Sequence, residues 1–128
     1  MGKFPADFVE YISNHTLIKI RGGSKPRSFL NIWIVNAGDR LFARSWDKSE
    51  RSWYTAFITE GVGQIQYGEQ IIDVSGIKIA ATDPVHELIN QAYLDKYTQE
   101  ENVPYATGFT QKEYTEYTIE FKLLCSTD

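Results

Sequence analysis

The sequence predicts a mainly β fold in which six antiparallel strands form a barrel and helices pack outside it. Two observations favour this fold: most of the chain divides into β-rich segments joined by hairpin-type turns, and only a few segments have helical periodicity. The 128 residues are 42% hydrophobic and 23% charged, which is typical of a soluble globular chain. We therefore expect a single domain over residues 1–128.

The first third of the chain is predicted to hold one helix and three strands. Pro5 can open a short helix, because Phe8, Tyr11 and Ile12 follow it at spacings of three and four residues. Glycines and a proline then mark a turn between the first two strands, and a tight hairpin at residues 37–40 joins the second strand to the third. The predicted strands are Thr16–Arg21, Ser28–Asn36 and Leu41–Trp46.

A short helix and a hairpin are predicted next. Trp53–Glu60 has aromatic and aliphatic residues paired four apart, and Gly61 can end the helix. Strands Val62–Tyr67 and Gln70–Ala80 follow, turned at residues 68–69. Gly76 lies inside the second of these strands, so it marks either a bulge or a close approach.

The last third is predicted to hold a long helix and a final strand. Asp83 followed by Pro84 is a strong helix start, and the helix is predicted to end near Tyr97. Its apolar stripe is predicted to comprise Val85, Leu88, Ile89, Ala92 and Tyr93. Residues 98–113 are predicted to be a loop, and Tyr114–Leu124 alternates as a strand does.

The bases of this acidic chain are concentrated in one segment. The net charge is −4, but residues 19–51 carry eight Lys and Arg against three Asp and Glu. All three tryptophans, Trp33, Trp46 and Trp53, lie in this segment or just after it. Bases beside flat aromatic rings suit a ligand with a phosphate and a planar ring. The alternative is a solvated basic face above tryptophans that pack in the core.

Composition also excludes several classes of function. The single cysteine, Cys125, excludes an internal disulfide and a multi-cysteine metal site. The sequence has no signal pattern and no apolar run of ~20 residues, so we expect a cytoplasmic protein with no membrane partner. Its acidity elsewhere argues against nucleic acid as a partner. His15 and His86 have no evident nucleophile or metal partner, so catalytic residues are unknown and no metal site is expected.

Several motifs in the basic half resemble those of the flavin-binding split-barrel superfamily. They are the turn Arg21-Gly-Gly-Ser-Lys-Pro-Arg27, the hairpin Gly38-Asp-Arg40, the strand end Leu41-Phe-Ala-Arg-Ser45 and the helix start Ser52-Trp-Tyr54. This superfamily includes pyridoxamine-phosphate-oxidase-like and deazaflavin-dependent nitroreductase-like proteins. The similarity covers residues 16–124 and is greatest to a small bacterial family of uncharacterised function within the superfamily. It implies a six-stranded antiparallel split barrel that forms a homodimer.

The resemblance also implies a cofactor, FMN or a deazaflavin. By position it implies that the cofactor phosphate is held by Lys25, Arg27, Arg44 and Ser45, with Trp53 and Tyr54 beside it at the start of the short helix. We expect Lys25, Arg27 and Arg44 to converge on one anion. The sequence departs from the pattern at residue 46, where Trp46 stands in place of a base.

The expected function is therefore binding of a flavin-type nucleotide, with reduction of an unidentified small organic substrate left open. In such an enzyme the cofactor supplies the chemistry, so the lack of a catalytic acid or base does not exclude it. Two alternatives remain. One is a binding module that holds a ring-and-phosphate ligand without turnover, and the other is a barrel that has lost its cofactor and serves as an interaction protein.

Overall fold

The computed structural model describes residues 4–24, 28–38, 40–45 and 53–124, and these residues form a curled antiparallel sheet with flanking helices. The helices are α1 (Ala6–Asn14), α2 (Trp53–Glu60), α3 (Val85–Lys96) and α4 (Val103–Phe109), and a 3₁₀ helix covers Lys112–Tyr117. The strands are β1 (Ile18–Gly22), β2 (Leu30–Ile32), β3 (Val35–Ala37), β4 (Arg40–Arg44), β5 (Val62–Tyr67), β6 (Gln70–Lys78) and β7 (Thr118–Leu123).

The sheet has seven strands within the described residues, so the prediction of six was wrong. Their order is β2-β1-β5-β6-β7-β4-β3, and every neighbouring pair is antiparallel. The predicted strand Ser28–Asn36 is interrupted at Trp33 and Ile34, which separates β2 from β3. These two short strands lie at opposite edges of the sheet, yet only two residues separate them. The sheet is therefore curled into a half-barrel.

Side chains of α3 explain the interruption. The Ile34 carbonyl accepts a hydrogen bond from Lys96 Nζ at 2.6 Å, and the Trp33 carbonyl accepts one from Tyr93 Oη at 3.4 Å. These carbonyls therefore find partners on a helix rather than on a neighbouring strand, as buried backbone groups must.

Most of the other predicted elements were confirmed. Helix α2 and strand β5 have the predicted bounds, and the predicted turn at Gly68 joins β5 to β6. The Asp83 carboxylate accepts a hydrogen bond from the Val85 amide at 2.9 Å, so it caps α3 as its sequence position predicted.

The segment before β7 was predicted wrongly. Residues 98–113 contain α4, and residues 112–117 form the 3₁₀ helix, so β7 begins at Thr118 rather than at Tyr114. Pro104 in the first turn of α4 is compatible with a helix start, while Ala106 and Phe109 pack in the core. Pro104 thus gave a sequence signal for a helix start. A helix this short depends for its stability on the burial of Ala106 and Phe109 against the rest of the protein.

Two apolar clusters cover the two faces of the sheet. The inner cluster includes Ile20, Ile65, Val74 and Phe121, with α1 and α2 packed on it. The outer cluster lies between β3, β4 and helices α3 and α4. On α3, the predicted stripe residue Leu88 is 61% exposed, and His86 is buried.

Two glycines allow α2 to lie against the sheet. A Cβ atom on Gly76 would lie 2.5 Å from Phe57 Cδ1, and one on Gly63 would lie 2.5 Å from Phe57 Cζ. The pairing of β6 with β7 continues through Gly76 without a bulge. Gly76 therefore marks a close approach of the Phe57 ring, which was one of the two predicted alternatives.

Candidate functional site

Arg44, at the end of β4, is the centre of a buried polar cluster. Its side chain is 2% exposed. The guanidinium Nε donates to Thr118 Oγ1 at 3.0 Å. Nη1 donates to the Phe109 carbonyl at 2.7 Å and to Asn90 Oδ1. Nη2 donates to His86 Nδ1 at 2.9 Å and to the His86 carbonyl at 3.5 Å. A guanidinium has five N–H groups, so each of them has an acceptor here.

All five acceptors of the Arg44 guanidinium are neutral. Burial without a carboxylate partner lowers the pKa of Arg44 from its ordinary value, although an arginine stays charged in proteins. Among the described residues no carboxylate bonds to this cation, so neutral hydrogen-bond acceptors stabilise its charge where β4 packs against α3 and α4.

His86 must be neutral to accept the Arg44 N–H at Nδ1. Its proton then lies on Nε2, which donates to the Ala80 carbonyl at 2.8 Å. Burial is the main cause that lowers the pKa of His86, and the Arg44 charge lowers it further. The hydrogen bond to the Ala80 carbonyl and the Asp83 charge act in the opposite direction, but on balance the pKa of His86 is lowered, which favours the neutral ring that the Arg44 hydrogen bond requires.

Tyr93 connects this cluster to the interrupted strand. Its hydroxyl accepts a hydrogen bond from the Arg44 amide at 2.8 Å, and burial raises the pKa of this fully buried phenol. Tyr97, one turn later, donates to the Thr16 carbonyl at 2.8 Å and stacks on Trp33 with ring centroids 3.8 Å apart. Trp33 and these tyrosines therefore pack within the protein. For Trp33 this agrees with the alternative in which the tryptophans pack in the core.

Three other predicted site residues lie on the opposite side of the sheet from the Arg44 guanidinium. Ser45 is fully buried, and its amide donates to the Tyr117 carbonyl at 3.0 Å. Trp53 and Tyr54 belong to the inner cluster, and Tyr54 Oη donates to the Glu116 carbonyl at 2.9 Å. The structure thus groups Ser45 and Tyr54 around Tyr117, but it does not bring the Arg44 guanidinium to them.

Lys25 and Arg27 lie outside the described residues, as does Trp46. The residues just before Lys25 are anchored along α2. A Cβ on Gly22 would lie 2.8 Å from the Trp53 carbonyl oxygen, and the Ser24 amide and hydroxyl both donate to Glu60 Oε1, at 3.1 and 2.7 Å. The chain therefore runs along α2 as far as Ser24, the last described residue before Lys25.

The predicted phosphate-site residues that the structure describes are already engaged within the protein. Arg44 has every N–H engaged, and Ser45, Trp53 and Tyr54 are all buried with contacts inside the protein. A phosphate would have to displace one of these contacts or be held by Lys25 and Arg27. The role predicted for the described residues in phosphate binding thus stays a prediction.

Sequence reasoning missed the partners of Arg44. His86, Asn90 and Tyr93 recur at spacings of four and three on α3, so they share one helix face. Polar groups on an otherwise apolar face predict a buried partner, and this signal could have indicated that Arg44 is internal.

A second polar group lies on β1, β5 and β6, on the face of the sheet opposite the inner cluster. Arg21 Nε donates to Gln64 Oε1 at 2.7 Å, and Gln64 Nε2 donates to Asp73 Oδ1 at 2.9 Å. These side chains border an open cleft of about 420 Å³ that also reaches Ser24. Over the described ranges, no three His, Cys, Asp or Glu residues are arranged to hold a metal ion.

Comparison with known proteins gives a family and a fold. Residues 10–121 match the family described as "Uncharacterized protein conserved in bacteria (DUF2255)". The chain belongs to the DUF2255 family. This DUF2255 member is similar in structure to the conserved hypothetical protein Rv2991 from Mycobacterium tuberculosis, with a TM-score of 0.58 and 9% identity over 97% of this chain and 81% of that one. No curated protein matches its sequence. At this identity the likeness concerns the fold alone.

Proposed function

We propose that this DUF2255 member binds a flavin-type nucleotide, FMN or a deazaflavin, where the turn after β1 meets α2. The observation that carries the proposal is the anchoring of Gly22 and Ser24 along α2, because Lys25 and Arg27 follow directly. Two bases this close in sequence can together hold a phosphate with charged hydrogen bonds, each of which contributes about 1.5–3 kcal/mol.

In this proposal Arg44 acts without touching the nucleotide. Its N–H groups are engaged by protein acceptors, so it positions the end of β4 and the adjoining Ser45. Its charge is not neutralised by a bonded carboxylate, and it therefore makes the surrounding potential more positive. An anionic ligand nearby would benefit from that potential.

Titration with FMN and with riboflavin tests the proposal, since riboflavin lacks the phosphate. Lys25→Ala and Arg27→Ala should each weaken FMN binding about tenfold or more and leave riboflavin binding unchanged. Lys19→Ala is the matched control, because Lys19 is an exposed base on β1. Flavin fluorescence quenching measures the affinity. Absence of saturable binding of FMN or a deazaflavin at about tens of micromolar, or equal losses in the Lys19 control, would overturn the proposal.

The second candidate is an interaction protein whose fold has lost the cofactor. The burial of Ser45, Trp53 and Tyr54 favours it, because these residues pack inside the protein instead of lining an open surface. The absorption spectrum of the purified protein separates the candidates: a yellow protein supports the first. Bleaching that depends on a small organic substrate would extend the first candidate to an oxidoreductase.

We also propose a homodimer, and light scattering during gel filtration tests it. The resemblance to split-barrel proteins supports this proposal. Exposed tyrosines are common at interfaces, but Tyr93, Tyr97 and Tyr114 are buried within one chain and cannot contribute to one. Only Tyr105 among the tyrosines of the last third is largely exposed, at 55%.

Among the described helices, none combines the length and apolar character that crossing a membrane requires.

A further inference from the structure

A cleft of about 320 Å³ lies between the end of α1, strand β3 and the C-terminal half of α3. Neither Lys25 nor Arg27 is among its lining residues, and the nucleotide proposal does not use it. Its lining consists of Ser13, Val35, Asn36, Ala92, Asp95 and Lys96. The lining thus combines two small apolar side chains with hydroxyl, amide, carboxylate and amine groups.

The Lys96 amine is unusual among the described lysines. It is half-buried, and its hydrogen-bond partner is the Ile34 carbonyl, at 2.6 Å. Across the described residues no carboxylate pairs with it, and the adjacent Asp95 instead accepts a hydrogen bond from Gln91 Nε2 at 2.7 Å. An ammonium has three donors and loses hydration on burial, so this environment disfavours its charged form. Burial accordingly lowers the pKa of Lys96 to about 8.

The Lys96 amine also lies over the face of the Tyr97 ring, 5.2 Å from its centroid. This contact and the bond to Ile34 hold the amine of Lys96, one of the residues that line the cleft. A positioned amine that is partly neutral near physiological pH is a nucleophile towards carbonyl compounds.

We propose that Lys96 is a nucleophilic amine and that its cleft takes small neutral aldehydes, which it binds as imines. The amine lone pair attacks the carbonyl carbon, so a C–N bond forms as the C=O π bond breaks, and one proton passes from the nitrogen to the oxygen to give a carbinolamine. Loss of one water then gives the C=N bond, so the step needs no oxidant or reductant. Asp95 at the cleft disfavours anionic carbonyl compounds, and Ser13 and Asn36 offer hydrogen bonds to the carbinolamine hydroxyl.

Site-resolved labelling of the full chain with propanal and cyanoborohydride tests this proposal. Cyanoborohydride reduces the imine to a stable secondary amine, which peptide mass spectrometry assigns to each lysine. Lys78 is the internal control, because it is 46% exposed and pairs with Glu116. Near pH 7.5 we expect Lys96 to react at least about tenfold faster than Lys78. The reason is that burial leaves part of the Lys96 amine neutral at that pH.

Two further readouts separate a binding site from a merely buried lysine. The Lys96 rate should level off above about pH 8, and it should saturate with propanal concentration. Lys96→Arg should abolish the label at that site and keep a donor for Ile34, whereas Lys78→Arg should leave the Lys96 rate unchanged. Equal rates for the two lysines, or a Lys96 rate linear in propanal, would overturn the proposal. Wild-type labelling decides this even if Lys96→Arg fails to fold, and neither result bears on FMN binding.

Discussion

Replacing Arg44 by methionine should destabilise the protein strongly, although it removes a buried charge. The guanidinium Nη1 is the donor to both the Phe109 carbonyl and Asn90 Oδ1, and these acceptors belong to α4 and α3. Each orphaned buried acceptor costs about 1–3 kcal/mol. Relief of the desolvation cost of the cation offsets part of this loss. We therefore expect the free energy of unfolding to fall by about 2–4 kcal/mol, out of a total of about 5–15 kcal/mol for a domain.

Urea denaturation followed by tryptophan fluorescence measures this change. Lys78→Met is the matched control, because it removes an exposed cation whose partner Glu116 is 60% exposed. Such a pair contributes about 0–1 kcal/mol. Arg44→Lys keeps the charge, but its three donors radiate from one atom and cannot reach all five acceptors. It should therefore be destabilising too, and it provides a second measurement if Arg44→Met does not fold.

A loss below about 1 kcal/mol in both Arg44 variants would refute the reasoning. It would mean that the guanidinium is not committed to the protein interior. Arg44 would then be available to a phosphate, as the sequence resemblance implies.

Three other changes have expected outcomes. Because the pKa of His86 is lowered from 6.5, the unfolded chain binds a proton that the folded chain excludes. The free energy of unfolding should thus be fully retained above about pH 6.5 and fall as the pH drops below it, and urea titrations should show that His86→Gln loses this slope. Gly76→Ala should cost about 1–3 kcal/mol, measured by thermal unfolding, because its Cβ would lie 2.5 Å from the Phe57 ring, and no loss would contradict the close packing. Asp83→Ala should cost about 1 kcal/mol by the same assay, since the Val85 amide loses its cap, and an unchanged stability would show that Pro84 alone starts α3.

Local signals predicted the elements whose causes are local. The bounds of α2 and β5 and the cap by Asp83 depend on neighbouring residues, so the sequence pattern was sufficient. The interruption at Trp33 and Ile34 depends on side chains of α3 some sixty residues later, at Tyr93 and Lys96, and no local pattern reveals it.

The candidate site was harder to predict for the same reason. A base at a strand end fits either a bound anion or an internal cluster. For Arg44 the choice depends on Asn90, Phe109 and Thr118, which tertiary packing brings to it. The phosphate role that the resemblance implies for Arg44 stays a prediction, and the direction of its guanidinium follows from the packing of α3 and α4.

The place of β7 in the sheet has a consequence for folding during synthesis. This strand is the last of the seven in chain order, yet it lies between β6 and β4. Until residues 118–123 leave the ribosome, β6 and β4 each lack one neighbour and present unpaired backbone groups. Such transient edges are prone to pair with other chains. The nascent protein is therefore most exposed to aggregation just before its final strand is made, and chaperone binding during that interval should matter most for its yield.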